Sequence, residues 1–205
     1  MKPIILIGGG GHCRSCIDVI EAEGKYKIVG LMNEIGGNRD SVLGYEVLGD
    51  YNDLPELLQK YPLALIAVGQ IKSANLRLKL HSSLKSMGAK FPTIKSPHSY
   101  VSKHVDLQEG TIVMHGAILN AGSSIGKNCI INSQALIEHD TVVDSHCHIS
   151  TGAKVNGCAF VGTESFVGSG SVIHESVQIG KKCIISAGSV VRNNLPAGTT
   201  FFSNT

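Results

Sequence analysis

From Ser99 onward the chain repeats every six residues, and this constrains its fold more than any other feature. Cut into hexads (SYVSKH, VDLQEG, TIVMHG, AILNAG and so on), the third place is Val, Leu or Ile in sixteen successive hexads, from Val101 to Val191. The first place is Ser, Ala, Cys or Thr in fourteen of them and Val in the other two, Val105 and Val177. A small residue two positions before an aliphatic one is the period-2 mark of an inward-facing strand. Its return every six residues makes each hexad one short strand and one turn, a register no helix can hold. Stacked hexads would bury columns of Val, Ile and Leu, and the small first places, among them Cys129, Cys147 and Cys183, would fill corners too tight for larger groups. The composition agrees: the chain has 24 Gly, 5 Phe, 5 Tyr and no Trp, so its core is aliphatic.

The first 92 residues follow a different pattern. KPIILIGGGGHCRSCIDVIEAEG reads as a buried strand, a Gly-rich turn and an amphipathic helix; KIVGLMNE is a second strand, DLPELLQKY a helix, LALIAVGQ a third strand and SANLRLKLHSSLKSMG a helix. Strands alternating with helices imply a parallel α/β sheet of Rossmann type. The expected organisation is an α/β domain over 1–92, a linker over 93–98 and an all-β repeat domain over 99–205. Glycines after a buried strand let backbone approach a phosphate at a helix N-terminus, where free N–H groups favour negative charge. Gly8 and Gly10 fit the first two glycines of the dinucleotide fingerprint, but Cys13 stands at the third, which argues against a redox dinucleotide site. Cys13 and Cys16 form a C-x-x-C with no second ligand pair, on a helix, which disfavours zinc and thioredoxin chemistry.

A formal net charge of +2 gives no strong field for nucleic acid or an acidic membrane, so small-molecule chemistry is favoured. There is no apolar run of the roughly 18 to 20 residues that crosses a bilayer, nor a signal-peptide pattern at MKPIILIGGGG; the expected location is the cytoplasm, with the six cysteines reduced.

The hexad pattern resembles the hexapeptide-repeat acyltransferases, which implies a left-handed parallel β-helix with three hexads per coil. Together, the Gly-rich GGGGH turn, the small Rossmann-like domain and the C-terminal hexads resemble the NeuD/PglD family of sugar acetyltransferases over nearly the whole chain. That resemblance implies a homotrimer in which the N-terminal domain holds a nucleotide-linked amino sugar and acetyl-CoA lies on the coils between neighbouring copies, with no metal required. It places the sugar nucleotide at Gly8, Gly10, Gly11 and His12, at Asn33 and Glu34 where the family usually has two aspartates, and at Gly69 and Gln70. His148 would contact the acetyl group or the sugar. Gly157 would lie at the oxyanion, and Gly168, Ser169, Ala187 and Gly188 would line the pantetheine arm.

Three of the nine histidines fall in ALIEHDTVVDSHCHIS, residues 135 to 150. His139 occupies a fifth, turn place and so points away from the apolar interior. The resemblance makes it the general base, within Glu138-His139-Asp140. Imidazole suits that role because it exchanges a proton near neutral pH, and Asp140 could orient the ring. His104, His115, His146 and His174 read as solvent-facing turn residues. The favoured activity is N-acetylation of a nucleotide-linked 4-amino sugar, with O-acetylation of a sialic or related nonulosonic acid as the alternative. Two further readings are a zinc enzyme resembling γ-class carbonic anhydrases, for which no third histidine falls at a matching place of an adjacent coil, and a non-catalytic sugar-nucleotide-binding trimer.

Overall fold

The computed structural model describes residues 1–37 and 40–202. It divides into two compact units, one of Met1–Gly69 with Asn75–Ile94 and one of Gln70–Ala74 with Lys95 onward. Among the described residues no helix is long and apolar enough to cross a membrane.

The first unit is a four-stranded parallel sheet with helices. Its elements are β1 (Lys2–Ile7), α1 (Gly11–Glu23), β2 (Tyr26–Asn33), β3 (Val47–Asp50), α2 (Leu54–Lys60), β4 (Ala64–Ile66) and α3 (Asn75–Ser86). The strand order is β3-β2-β1-β4, with every pairing parallel. Side chains alternate along β1: Ile5 and Ile7 join Leu54, Leu58, Leu80 and Leu84 of α2 and α3 in one buried cluster. Ile4 and Leu6, equally buried, take the opposite face by the period of two. Sequence reading missed β3, whose four residues VLGD carry no alternation. Arg77 of α3 is buried and donates from Nη1 to the carbonyls of Ile66 (2.9 Å) and Val68 (2.7 Å), fastening the chain where it leaves β4 toward Gly69.

The second unit is the left-handed parallel β-helix. Two-residue strands pair with strands 18 residues on, as in Ser124↔Val142, Ile130↔His148 and Leu136↔Lys154, so three hexads make one coil. Three parallel sheets result. The first face runs from Tyr100–Val101 through Leu136–Ile137 to Val190–Val191; the second from Asp106–Leu107 to Gln178–Ile179; the third contains Ile112–Val113 through Ile184–Ile185 and Thr200–Phe201. All the third-place residues from Val113 to Val191 are buried in one cluster, with Val101 and Leu107 packed on it. Cys129, Cys147 and Cys183 are fully buried at first places, in the packing role expected of them.

The corners show why the hexad has six places. Every sixth place from Gly110 to Gly188 has a positive φ, including the non-glycines Asn128, Gln134, Asp140, His146, Cys158, Glu164, Ser176 and Lys182. This left-handed residue turns the chain sharply into the next face. Its N–H then bonds the fifth-place carbonyl of the coil before: Asp140 N–H to Ala121 O, Cys158 N–H to His139 O and Ser176 N–H to Gly157 O, at 3.3, 3.0 and 2.9 Å. Each corner is thereby a hydrogen-bonded column in which like places lie over one another.

Two boundaries differ from the sequence reading. Residues 93–98, expected as a linker, contain the strand Ile94–Lys95, and the Ser96 N–H donates to Val113 O at 2.9 Å, so coil pairing begins before Ser99. Lys95 at a third place hid it from an aliphatic pattern. Gln70–Ala74, expected in the first domain, packs with the coils.

Candidate active site

His139 and Asp140 form the corner between the strands Leu136–Ile137 and Val142–Val143. His139 Nδ1 lies 2.9 Å from Asp140 Oδ2, with the two side chains 62% and 64% exposed. An ionised carboxylate only accepts, so Nδ1 carries the hydrogen and donates it, which leaves Nε2 of the neutral ring as the acceptor. Asp140 reaches back to its neighbour because its backbone is left-handed, with φ 57°. Glycine on each adjoining coil makes room for the pair. A Cβ on Gly122, one coil before Asp140, would collide with its carboxylate, and a Cβ on Gly157, one coil after His139, would lie 2.7 Å from both Cε1 and Nε2 of the ring. The imidazole therefore lies against bare backbone, and the Gly157 N–H has no protein acceptor among the described residues. Glu138 is half-buried and accepts from Asn120 Nδ2 at 2.9 Å, one coil earlier. Cys158 is exposed, and one ligand-competent atom from each of His139, Asp140 and Cys158 falls within 4.8 Å of the others.

The other two histidines of the 135–150 stretch lie elsewhere. His146 sits at the next corner, bonded through Nδ1 to Asn128 Nδ2 at 3.0 Å. His148 is on the third face and only 5% exposed. Its Nδ1–H donates to Gln70 O, its Nε2 accepts from Asn132 Nδ2 at 3.1 Å, and its ring packs edge-on against Phe166 with centroids 5.2 Å apart. An acetyl or sugar contact is expected at this residue from the sequence; here the ring is covered and both nitrogens are engaged. Gln70, expected at the nucleotide sugar, is likewise 3% exposed and donates from Nε2 to His146 O at 3.0 Å. His115, read as solvent-facing, is half-buried with Nδ1 2.6 Å from Ser96 Oγ.

In the first unit the Gly-rich turn passes from β1 into α1 with Gly10 as N-cap, no side-chain cap and no acid in the first turn. Gly8 has φ +107°, and a Cβ there would meet Val68 Cγ2 at 2.6 Å; Gly10 and Gly11 would place a Cβ in open space. Internal packing thus explains Gly8 and leaves the other two open toward solvent. A Cβ on Gly9 would lie 3.1 Å from Asn33 Nδ2, which puts the end of β2 beside the turn, and one on Gly69 would lie 3.5 Å from His12 Cβ. Glu34 is exposed. Burial pushes the Cys13 thiol up to about 12, against a smaller lowering by Arg14, and raises Cys16 further, so the C-x-x-C holds no thiolate near neutral pH.

Ser169, Ala187 and Gly188 are exposed on the third corner, a different edge of the prism from His139; Ser169 Oγ lies 2.9 Å from Ser150 Oγ. Gly168 is buried, with room for no side chain: a Cβ would lie 2.5 Å from Ala187 N.

Comparison with known proteins fits this arrangement. Residues 3–84 match the model of the PglD N-terminal domain, and 158–193 match the bacterial transferase hexapeptide of six repeats. No curated protein sequence matches the chain. Among solved structures, a histidine-to-asparagine mutant of perosamine N-acetyltransferase from Caulobacter crescentus, in complex with CoA and GDP-perosamine, is 32% identical with TM-score 0.90, over 96% of this chain and 91% of that one. The chain belongs to the NeuD/PglD-like sugar acetyltransferases. Also similar is the acetyltransferase domain of PglB from Neisseria gonorrhoeae, 28% identical with TM-score 0.89 over 97% and 95% of the two chains. WeeI from Acinetobacter baumannii, at 24% identity and TM-score 0.86 over 97% and 95%, shares the fold.

In this NeuD/PglD-like chain the coil period finds what motif reading left out. Adding 18 or 19 to His139 gives Gly157 and Cys158, and subtracting 18 from Asp140 gives Gly122. Of these three only Gly157 was singled out from the sequence.

Proposed function

We propose that the chain transfers the acetyl group of acetyl-CoA to the amino group of a nucleotide-linked 4-amino deoxy sugar, by direct attack on the thioester with His139 as general base. The observation that carries this reading is the exposed His139–Asp140 pair, with its ring against Gly157, in a chain alike over 96% of its length to an enzyme bound to CoA and GDP-perosamine. That structure is itself the histidine-to-asparagine mutant, and a second one replaces the histidine by alanine, which supports a histidine at the chemistry.

In this mechanism Nε2 of His139 accepts a proton from the amine as the C–N bond forms, and Asp140 holds Nδ1–H and stabilises the imidazolium. The tetrahedral oxyanion takes the N–H of Gly157, which has no protein acceptor among the described residues. Collapse breaks the C–S bond, and the departing CoA thiolate receives the proton from His139. Glu138, turned toward Asn120, supports the corner. Gly10, Gly11 and His12 at the start of α1, with Asn33, Glu34 and Gly69, hold the nucleotide: uncapped N–H groups and absent side chains favour a phosphate there. Ser169, Ala187 and Gly188, with Gly168 keeping the coils close, line the pantetheine arm. Because their edge is not His139's edge, the site is completed by a second copy, in a homotrimer. The outward Ile118 and Val142 are 40% and 38% exposed, apolar surface that such an assembly would cover.

The test is a panel of GDP-, UDP- and dTDP-linked 4-amino-6-deoxy sugars with acetyl-CoA, using His139→Ala. Removing a general base should lower kcat by about 10²- to 10⁴-fold while nucleotide-sugar binding persists. A variant that turns over normally, or an acetyl group attached through oxygen and cleaved by hydroxylamine, would overturn the reading.

A further inference from the structure

Cys158 plays no part in the chemistry above, yet it stands beside it. It occupies the sixth place one coil after Asp140, with φ 60°, and is exposed. Its N–H is held by His139 O at 3.0 Å, so its position against the His139 corner is set by backbone. A nitrogen, a carboxylate oxygen and a sulfur from three residues thus fall within 4.8 Å of one another in solvent-accessible positions. The five other cysteines are buried, so this is the exposed thiol of the described chain.

We propose that His139, Asp140 and Cys158 form a binding site for a thiophilic divalent cation, Zn²⁺ above all, and that the cation and the acceptor amine exclude one another. Three protein ligands of N, O and S type with an open fourth position are the donor set tetrahedral zinc accepts. Zinc–nitrogen and zinc–oxygen bonds of about 2.0–2.2 Å and a zinc–sulfur bond of about 2.3 Å put tetrahedral ligand atoms about 3.3–3.7 Å apart. The three ligand atoms lie within 4.8 Å of one another, with His139 Nδ1 and Asp140 Oδ2 already 2.9 Å apart, and the exposed side chains can turn to the tetrahedral spacing. The thiol gives up its proton on binding, and the sulfur favours Zn²⁺ over Mg²⁺ or Ca²⁺. The left-handed corner columns align residues 18 and 19 apart, so two neighbours in sequence and one from the next coil converge without any loop rearrangement. Zinc here is inhibitory: it engages the imidazole that must take the amine's proton. The site itself does not depend on the proposed function; the exclusion rests on His139 being the base.

The test is titration of the full-length protein with Co²⁺, a spectroscopic substitute for Zn²⁺, followed by displacement with Zn²⁺. The wild type is expected to show a thiolate-to-cobalt band in the near ultraviolet at one ion per chain. Cys158→Ser should lose that band and weaken Zn²⁺ binding on the order of 100-fold, at least what losing a supporting partner of a metal ligand costs. Asp140→Asn should weaken binding while keeping the band, which guards against a Cys158 variant that merely folds badly. In acetyl transfer to the best acceptor of the nucleotide-sugar panel, followed by product chromatography, Zn²⁺ should inhibit the wild type and spare Cys158→Ser. Absence of the cobalt band, or unchanged Zn²⁺ affinity in Cys158→Ser, overturns the site whatever His139 does in turnover. A band without inhibition overturns the exclusion and counts against His139 as base.

Discussion

Gly157 sets where the His139 imidazole can lie, because a methyl group there would stand 2.7 Å from two ring atoms. Gly157→Ala is therefore expected to push the ring off its Asp140-bound position. A displacement of about 1 Å at a reacting group costs on the order of 10²-fold, so kcat should fall by that order. KM for the nucleotide sugar and the melting temperature should stay near wild type, since the corner is solvent-exposed on its outer side; steady-state kinetics with calorimetry separates the effects. At this scale the sequence was half legible. Glu138-His139-Asp140 is a contiguous run, and its turn place follows from the hexad frame. The neighbours that shape it are a whole coil away, at Gly122, Gly157 and Cys158, and no local motif joins them. For His148 the strand place was clear but the burial was not, because the Gln70 carbonyl its ring bonds comes from 78 residues earlier.

Among the elements, the corners carry an energetic signature. A non-glycine in the left-handed region costs about 1–2 kcal/mol, whereas glycine loses about 0.5–1 kcal/mol of extra chain entropy on folding. Ser176, exposed with φ 61°, should thus gain from replacement: Ser176→Gly is expected to stabilise the protein by about 0.5–1 kcal/mol in urea unfolding. Gly152→Ala, at φ +66° with open space around the added methyl, should cost about 1 kcal/mol in the same assay. The aliphatic third places were readable because all of them from Val113 to Val191 are buried, and the coil core follows them residue by residue. What was unreadable lacked that constraint. β3 is four residues at a sheet edge, where the ladder needs only backbone. Ile94–Lys95 forms a strand with a lysine at the aliphatic place, because hydrogen bonding does not require the column to be filled.

For the molecule as a whole, the proposed chemistry is divided between edges: His139 on the first corner, Ser169 and Ala187 on the third. If each site takes one edge from each of two copies, then His139→Ala and a variant blocking the other edge, Ala187→Trp, should each be inactive alone and active when co-expressed. Random mixing restores about a quarter of the sites, and sedimentation should report trimers throughout. Mixtures as inactive as their parents would rule out shared sites.

The coil length of 18 residues also limits how such a chain can change in length. Loss of a single hexad between His139 and Gly157 would leave every aliphatic side chain inside and the stack intact, yet it would carry all that follows a third of the way round the axis. The thiol of Cys158 and the bare backbone of Gly157 would then face a different edge from the imidazole they now border. Insertions and deletions compatible with catalysis should therefore come in whole storeys, and a perfectly folded mutant missing six residues would be a scaffold with its chemistry facing the wrong way.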